Sequence, residues 1–258
     1  MAKLLRSRDR ILLGLAVLGD LLDEVVGGGS RAYHARKLGF YTPSWYSKNA
    51  LQTAVSRMLK TDLISKNIKK GEVFWELTSS GKKQLVRSFP MLKWQEKQWD
   101  GWWRIVVFDV GEKQRKMRDS LRDKLVELGF GQWQKSVYVS PHDVARDMIE
   151  FLESEHLTEE VSVFTAKELG PGQAEKAEKM WKLEKLNNRY CHIVEQWREI
   201  KDKKLNQKEA RKIISQYLSV VELDPFLPRE LLPKPWFGIK AEEIFRRLKK
   251  QLKHLDTF

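Results

Sequence analysis

The chain has 258 residues and a formal net charge of +13, enough length for two or three small domains, each with its own core. Hydrophobic residues make up 41% of it, which excludes a disordered chain. The single cysteine, Cys191, excludes both an intramolecular disulfide framework and a cysteine-rich zinc site.

Residues 4–26 read as a first helix, with Ile11, Leu12, Leu15, Leu18 and Leu22 as its core stripe, ended by the glycines at 27–29. The basic residues at 6–10, the apolar run at 11–18 and the small residues at 27–30 imitate a secretory leader. Asp9 interrupts that basic region, however, and Asp20, Asp23 and Glu24 follow the short apolar run. With one cysteine and no run near the roughly 20 apolar residues of a membrane span, a cytoplasmic location and no membrane partner are expected.

A short helix is expected at 31–38. Thr42 then caps, and Pro43 opens, a helix running to Thr61 or Asp62 with Leu51, Val55, Met58 and Leu59 on its apolar face. Two strands at 63–68 and 72–77 follow, joined at Lys69-Lys70-Gly71 in a hairpin with a basic tip. Thr78 caps a further helix to Leu85. Three helices followed by such a hairpin is the winged helix-turn-helix order, whose third helix enters the major groove while the wing lies near the backbone or minor groove. Charge agrees: Lys and Arg outnumber Asp and Glu 18 to 8 in residues 1–98, but 30 to 27 in the remainder, placing a polyanion contact in the N-terminal third. The expected DNA-binding residues are Ser44, Trp45, Tyr46, Lys48, Asn49, Gln52, Thr53 and Arg57 on or before the reading helix, and Lys69 and Lys70 on the wing. Of these, Lys48, Arg57, Lys69 and Lys70 are assigned to phosphates.

Residues 91–102 are a Trp-rich linker. Trp94, Trp99 and Trp102, with the adjacent Trp103, could stack bases; a hydrophobic clamp is the expected role. Beyond them, 105–108 reads as a strand buried on both faces. Met117, Leu121, Leu125 and Leu128 mark a helix capped by Gly129, and 135–139 alternates like a half-buried strand. A helix at 143–157 and a strand at 161–165 complete a ferredoxin-like α/β sandwich. Gly170-Pro171-Gly172 ends it. One long helix is expected at 177–201 and another at 207–223. Residues 224–238 then carry four prolines, Pro225, Pro228, Pro233 and Pro235, which cannot lie inside a helix. They form a strap expected to pack on its own helices, pinned by Phe226 and Trp236. A helix at 241–255 closes the chain through Ile244, Phe245, Leu248 and Leu252. The fold class expected is therefore α+β multidomain: a winged helix-turn-helix at 1–90, a linker at 91–102, a ferredoxin-like domain at 103–170, and a helical C-terminal domain with the strap at 171–258.

The strap DPFLPRELLPKPWFG, with Ala241 and Phe245 after it, resembles the C-terminal signature of the PaaX family of bacterial transcriptional repressors. WDGWWRIVVFDVGE, LRDKLVELGFGQWQKSVYVSP and AVSRMLKTDLI resemble it too, so the likeness covers nearly the whole chain in order. The resemblance implies a repressor that binds a double-stranded operator as a homodimer, with the ferredoxin-like segment 103–170 as its dimerisation domain, and is released by a small effector such as an aromatic acyl-CoA. Gly111 stands where the family usually has Pro, and Gln52 where it often has Arg. Gln suits adenine where Arg suits guanine, so the operator does not carry over.

The central segment also resembles the ferredoxin-like subunit of CRISPR adaptation systems, where an acid in the place of Asp109 is associated with a metal. The alternative is therefore a metal-dependent nuclease or CRISPR-associated accessory protein. Metal-activated hydrolysis needs several carboxylates. Asp109 and Glu112 are the acids placed for it, among the crowding charges of Lys113, Arg115, Lys116 and Arg118. Neither the histidines (His34, His142, His156, His192, His254) nor Cys191 form a triad or a ligand-spacing pattern. No enzyme activity, cofactor or metal is expected.

Overall fold

The computed structural model describes residues 12, 33–34, 48–69, 72–88, 98–111, 114–168, 170–200 and 207–254. Among them the protein is mixed α/β, with eight α-helices and two small sheets. It divides into two compact units. One comprises Met1–Ser88, Leu186–Leu223 and Phe237–Phe258; the other comprises Phe89–Lys185 and Asp224–Trp236. Among the described residues no helix is long and apolar enough to cross a membrane.

In the first unit, β1 (Tyr33–His34), α1 (Lys48–Lys60), β2 (Ile64–Lys69), β3 (Glu72–Leu77) and α2 (Ser79–Ser88) follow in order, and the strands form an antiparallel sheet β1-β3-β2. Of the expected first helix, Leu12 is described; it is helical and fully buried. The helix expected at 31–38 is corrected at Tyr33 and His34, which pair with Trp75 and Phe74. The free edge of β3 needs partners for its N–H and C=O groups, and so short a helix offers little in competition.

Helix α1 ends where Asp62 adopts a left-handed φ of 52°. Leu63 N–H then donates to the Met58 carbonyl at 2.9 Å and Asp62 N–H to that of Leu59 at 3.2 Å, the Schellman pattern. Thr78 caps α2 as expected, its Oγ1 accepting from Gly81 N–H at 3.0 Å. Gly81 is required there, because a Cβ would fall 1.9 Å from the Leu63 carbonyl oxygen. The same unit contains most of α6 (Leu183–Ile200), α7 (Gln207–Val221) and α8 (Gly238–His254). Their core holds Ile193, Ile214, Tyr217, Phe245 and Leu248, with Tyr217 stacked on Phe245 at 4.6 Å.

The second unit runs β4 (Trp103–Phe108), α3 (Arg115–Glu127), β5 (Gly131–Gln134), β6 (Val137–Ser140), α4 (Ala145–Ser154) and β7 (Val161–Ala166). The four strands form an antiparallel sheet ordered β5-β6-β4-β7. Helices α3 and α4 close one face over Val106, Phe108, Leu121, Leu125, Met148 and Leu152. Both helices end as α1 does. Gly129 (φ 79°) and His156 (φ 56°) are left-handed, and Phe130 and Leu157 N–H donate back to Leu125 and Leu152 at 2.9 Å. The glycine was readable in the sequence; His156 in the same role was not.

Two expectations change in this unit. Strand β4 is not buried evenly on two faces: Val106 and Phe108 are in the core, while the other side runs from Trp103, 5% exposed, to Val107, 38% exposed. The long helix expected at 177–201 is two, α5 (Gln173–Trp181) and α6, broken at Lys182 with φ 54°. The break lets Trp181 lie against Gly131, where a Cβ would come within 2.7 Å of its ring. The strap falls in the same unit as α5, a helix of the segment expected to carry it. Its 3-10 turn Arg229–Leu231 contacts α5, and Leu227 and Leu231 are buried.

Candidate nucleic-acid interface

Helix α1 begins with Lys48 and Asn49. Its Gln52, Thr53, Ser56, Arg57 and Lys60 are exposed while Met58 is buried. Spacings of one, three, one and three keep those five on one face, leaving a polar stripe a little over two turns long. Strands β2 and β3 pair in register from Ile64–Leu77 to Lys69–Glu72, which puts Lys69 at the end of the hairpin. Ser44, Trp45, Tyr46 and Lys70 lie outside the described residues. Two exposed cations here were not picked out from the sequence: Lys60, which extends the stripe by a turn, and Lys66 on β2. Helical spacing from Arg57 would have found the first; the second needed the strand register.

Asp109 is exposed just past β4, and its N–H donates to the Glu160 carbonyl at 3.0 Å. Glu112 lies outside the described residues. Among the described residues no group of three or more His, Cys, Asp or Glu is placed to hold a metal ion.

The motif WDGWWR proves to be a structural node. Gly101, at φ 76°, turns the chain so that Asp100 receives two hydrogen bonds from the buried Arg104 guanidinium, at 3.0 and 2.7 Å. Arg104 also reaches Asp143 at 3.3 Å and the Trp102 carbonyl at 3.1 Å. That hydrogen bonding from Arg104 holds the Asp100 carboxyl below its ordinary pKa. Beside this node His142 is 4% exposed, and its Nε2 lies 3.2 Å from the Pro225 carbonyl of the strap. A carbonyl can only accept, so Nε2 carries the proton. Burial, with a smaller push from Arg104, lowers the His142 pKa to about 4 against the partial opposition of the Pro225 bond. Of the linker's tryptophans Trp94 lies outside the described residues; Trp99 meets Trp103 edge-on at 5.1 Å, and Trp103 stacks on Trp181 at 6.4 Å. The sequence singles out neither Arg104 nor Asp100, and places His142 only among histidines without a ligand pattern, since nothing in their spacing shows that one buried guanidinium gathers them.

A four-stranded sheet with two helices on one face in one compact unit, and a helix–hairpin segment together with α7, α8 and most of α6 in the other, define a mixed α/β protein. Two family models match it: the PaaX protein central Cas2-like domain over residues 96–178, and the PaaX-like protein C-terminal domain over 181–257. The chain belongs to the PaaX-like family. It is similar to the transcriptional repressor PaaX of Escherichia coli (strain K12), with 26% identity over 232 residues, 84% of this chain and 71% of that protein. Its fold is like that of an uncharacterised protein from Mycobacterium tuberculosis, with a TM-score of 0.57 at 17% identity over 93% of this chain and 97% of that one.

Proposed function

We propose that the protein is a cytoplasmic, sequence-specific DNA-binding regulator of transcription, a repressor that acts as a homodimer and lets go of its operator when a small effector, such as an acyl-CoA, binds. In this reading residues 1–90 are a winged helix-turn-helix, with α1 in the major groove and the β2–β3 hairpin as wing. Residues 103–170 are a ferredoxin-like dimerisation domain, and 171–258 are helical and carry the strap. The observation that carries the reading is the exposed stripe Gln52, Thr53, Ser56, Arg57 and Lys60 beside a hairpin ending in Lys69, in a chain related to a repressor. The dimer draws support from the sheet face opposite α3 and α4, where Val107 and Phe164 are 38% and 53% exposed.

Gel-shift titration against a palindromic site upstream of the protein's own operon tests this. Replacing Lys69 and Lys70 by Ala is expected to lower affinity and to reduce the slope of log K against log salt by about 2, one for each phosphate no longer neutralised. Gln52→Ala is expected to cost about 1–3 kcal/mol at a single base pair and to relax preference there. Unchanged affinity and slope in the lysine variant would remove the wing from the interface.

A further inference from the structure

One face of the four-stranded sheet is filled by α3 and α4; the other is covered in part. There Trp103, Ile105, Val139 and Ala166 form a floor. They belong together by register: Ile105 lies opposite Val139 on one side and Phe164 on the other, and Trp103 lies opposite Ala166. Helix α5 forms a wall with Met180 and Lys176. Trp133 also lines it, at the irregularity between Gln132 and Gln134, where β5 has one residue more than β6. An extra residue of this kind re-aims a side chain and occurs often at sheet edges beside binding sites. The result is a recess of about 260 Å³, apolar over most of its surface.

Charge is confined to its rim. Lys176 Nζ pairs with Glu168, and Lys167 Nζ sits 4.6 Å above the Trp102 ring. Two cations against one carboxylate leave the mouth net positive. On the floor Trp103 is 5% exposed, and its indole N–H has no hydrogen-bond partner among the described residues.

We infer that this recess binds a small amphipathic anion: an apolar body of one or two rings, or its aliphatic equivalent, carrying a single carboxylate or similar group. A cavity of about 150 Å³ already takes up benzene, and pockets for drug-sized ligands begin at about 300 Å³, so the recess fits a body between those limits. Apolar walls with few convergent polar groups are the usual make-up of such sites. The anion belongs at Lys176, where it competes with Glu168, and the rings lie over Trp103, Ile105 and Ala166 against Trp133. The site is a place for a small carboxylate and not for a whole acyl-CoA, and it rests on the proposed regulation by a small effector for its regulatory consequence alone.

Isothermal titration of the full chain without DNA, using 2-naphthoate and the uncharged 2-naphthalenemethanol, tests the site. The wild type is expected to bind 2-naphthoate saturably, at one site per chain. Lys176→Met is expected to weaken the carboxylate about tenfold and leave the alcohol unchanged, as removal of a charge-assisted hydrogen bond does. Ala166→Trp, which fills the recess, is expected to abolish binding of both; Trp133→Ala, at an exposed position where the fold is safe, is expected to weaken both. No saturable binding of 2-naphthoate by the wild type, or wild-type binding by both Lys176→Met and Trp133→Ala, overturns the site. Repeating the gel shift with 2-naphthoate separates the two claims: binding without loss of DNA affinity keeps the site and removes its role as the effector switch.

Discussion

The two faces of the β5-β6-β4-β7 sheet are built from alternate residues of the same strands, yet they end in different states. On the face covered by α3 and α4, Val106, Leu121, Leu125 and Met148 are completely buried. On the other, α5 covers the end near Trp103 and Gly131, while Val107, Trp133 and Phe164 stay 38%, 48% and 53% exposed. Strand β4, WRIVVF, is apolar at every position but Arg104. Continuous apolarity therefore does not by itself mean two filled faces. It also arises when one face is core and the other is a surface of exposed apolar residues, the kind that marks interaction sites, as the proposed pairing of two copies and the proposed ligand recess require.

The comparison predicts a gradient of mutational effects. The largest belongs to the filled face: Leu121→Ala should cost about 2–5 kcal/mol in urea unfolding, the range for a large cavity in a core. Next is the strap tie. The folded state keeps His142 neutral, with a pKa of about 4 against an ordinary 6.5. Stability should thus be flat in this group's contribution above about pH 7. It should fall as pH drops from 6.5 towards 4, because the unfolded chain takes up the proton first, for a total of roughly 3 kcal/mol. Melting curves across that range should show the fall in the wild type and a smaller one in His142→Gln, whose amide can still donate to Pro225 but does not titrate.

Smaller again is the covered end of the open face. Gly131→Ala pushes a Cβ to within 2.7 Å of the Trp181 ring and should cost about 1–3 kcal/mol as overpacking. The smallest stability change belongs to Phe164→Arg, within about 0.5 kcal/mol for an exposed site. If two copies meet on this face, sedimentation should nevertheless show that variant as a monomer. A Phe164→Arg chain that loses as much stability as Leu121→Ala would mean the two faces are alike, and the comparison fails.

Much of this architecture could be read in the chain. The spacing of Leu121, Leu125 and Leu128 announces α3, Gly129 its left-handed end, and Thr78 the cap of α2, because helical period and cap chemistry are local properties. The stripe from Gln52 to Arg57 was legible for the same reason. The family motifs stood in the sequence too, but their meaning did not. WDGWWR is an arginine gathering Asp100, Asp143 and a carbonyl, and the strap's Pro225 answers to His142, 83 residues away. Burial of a charge depends on what surrounds it, and pairing across such separations leaves no periodic trace. The break at Lys182, the strand at Tyr33–His34, the exposed face of β4 and the recess beneath α5 were settled in the same way by tertiary packing. Local preference sets which segments can be helix or strand; which edge is paired, which turn is forced left-handed and which apolar face remains open depend on neighbours far along the chain.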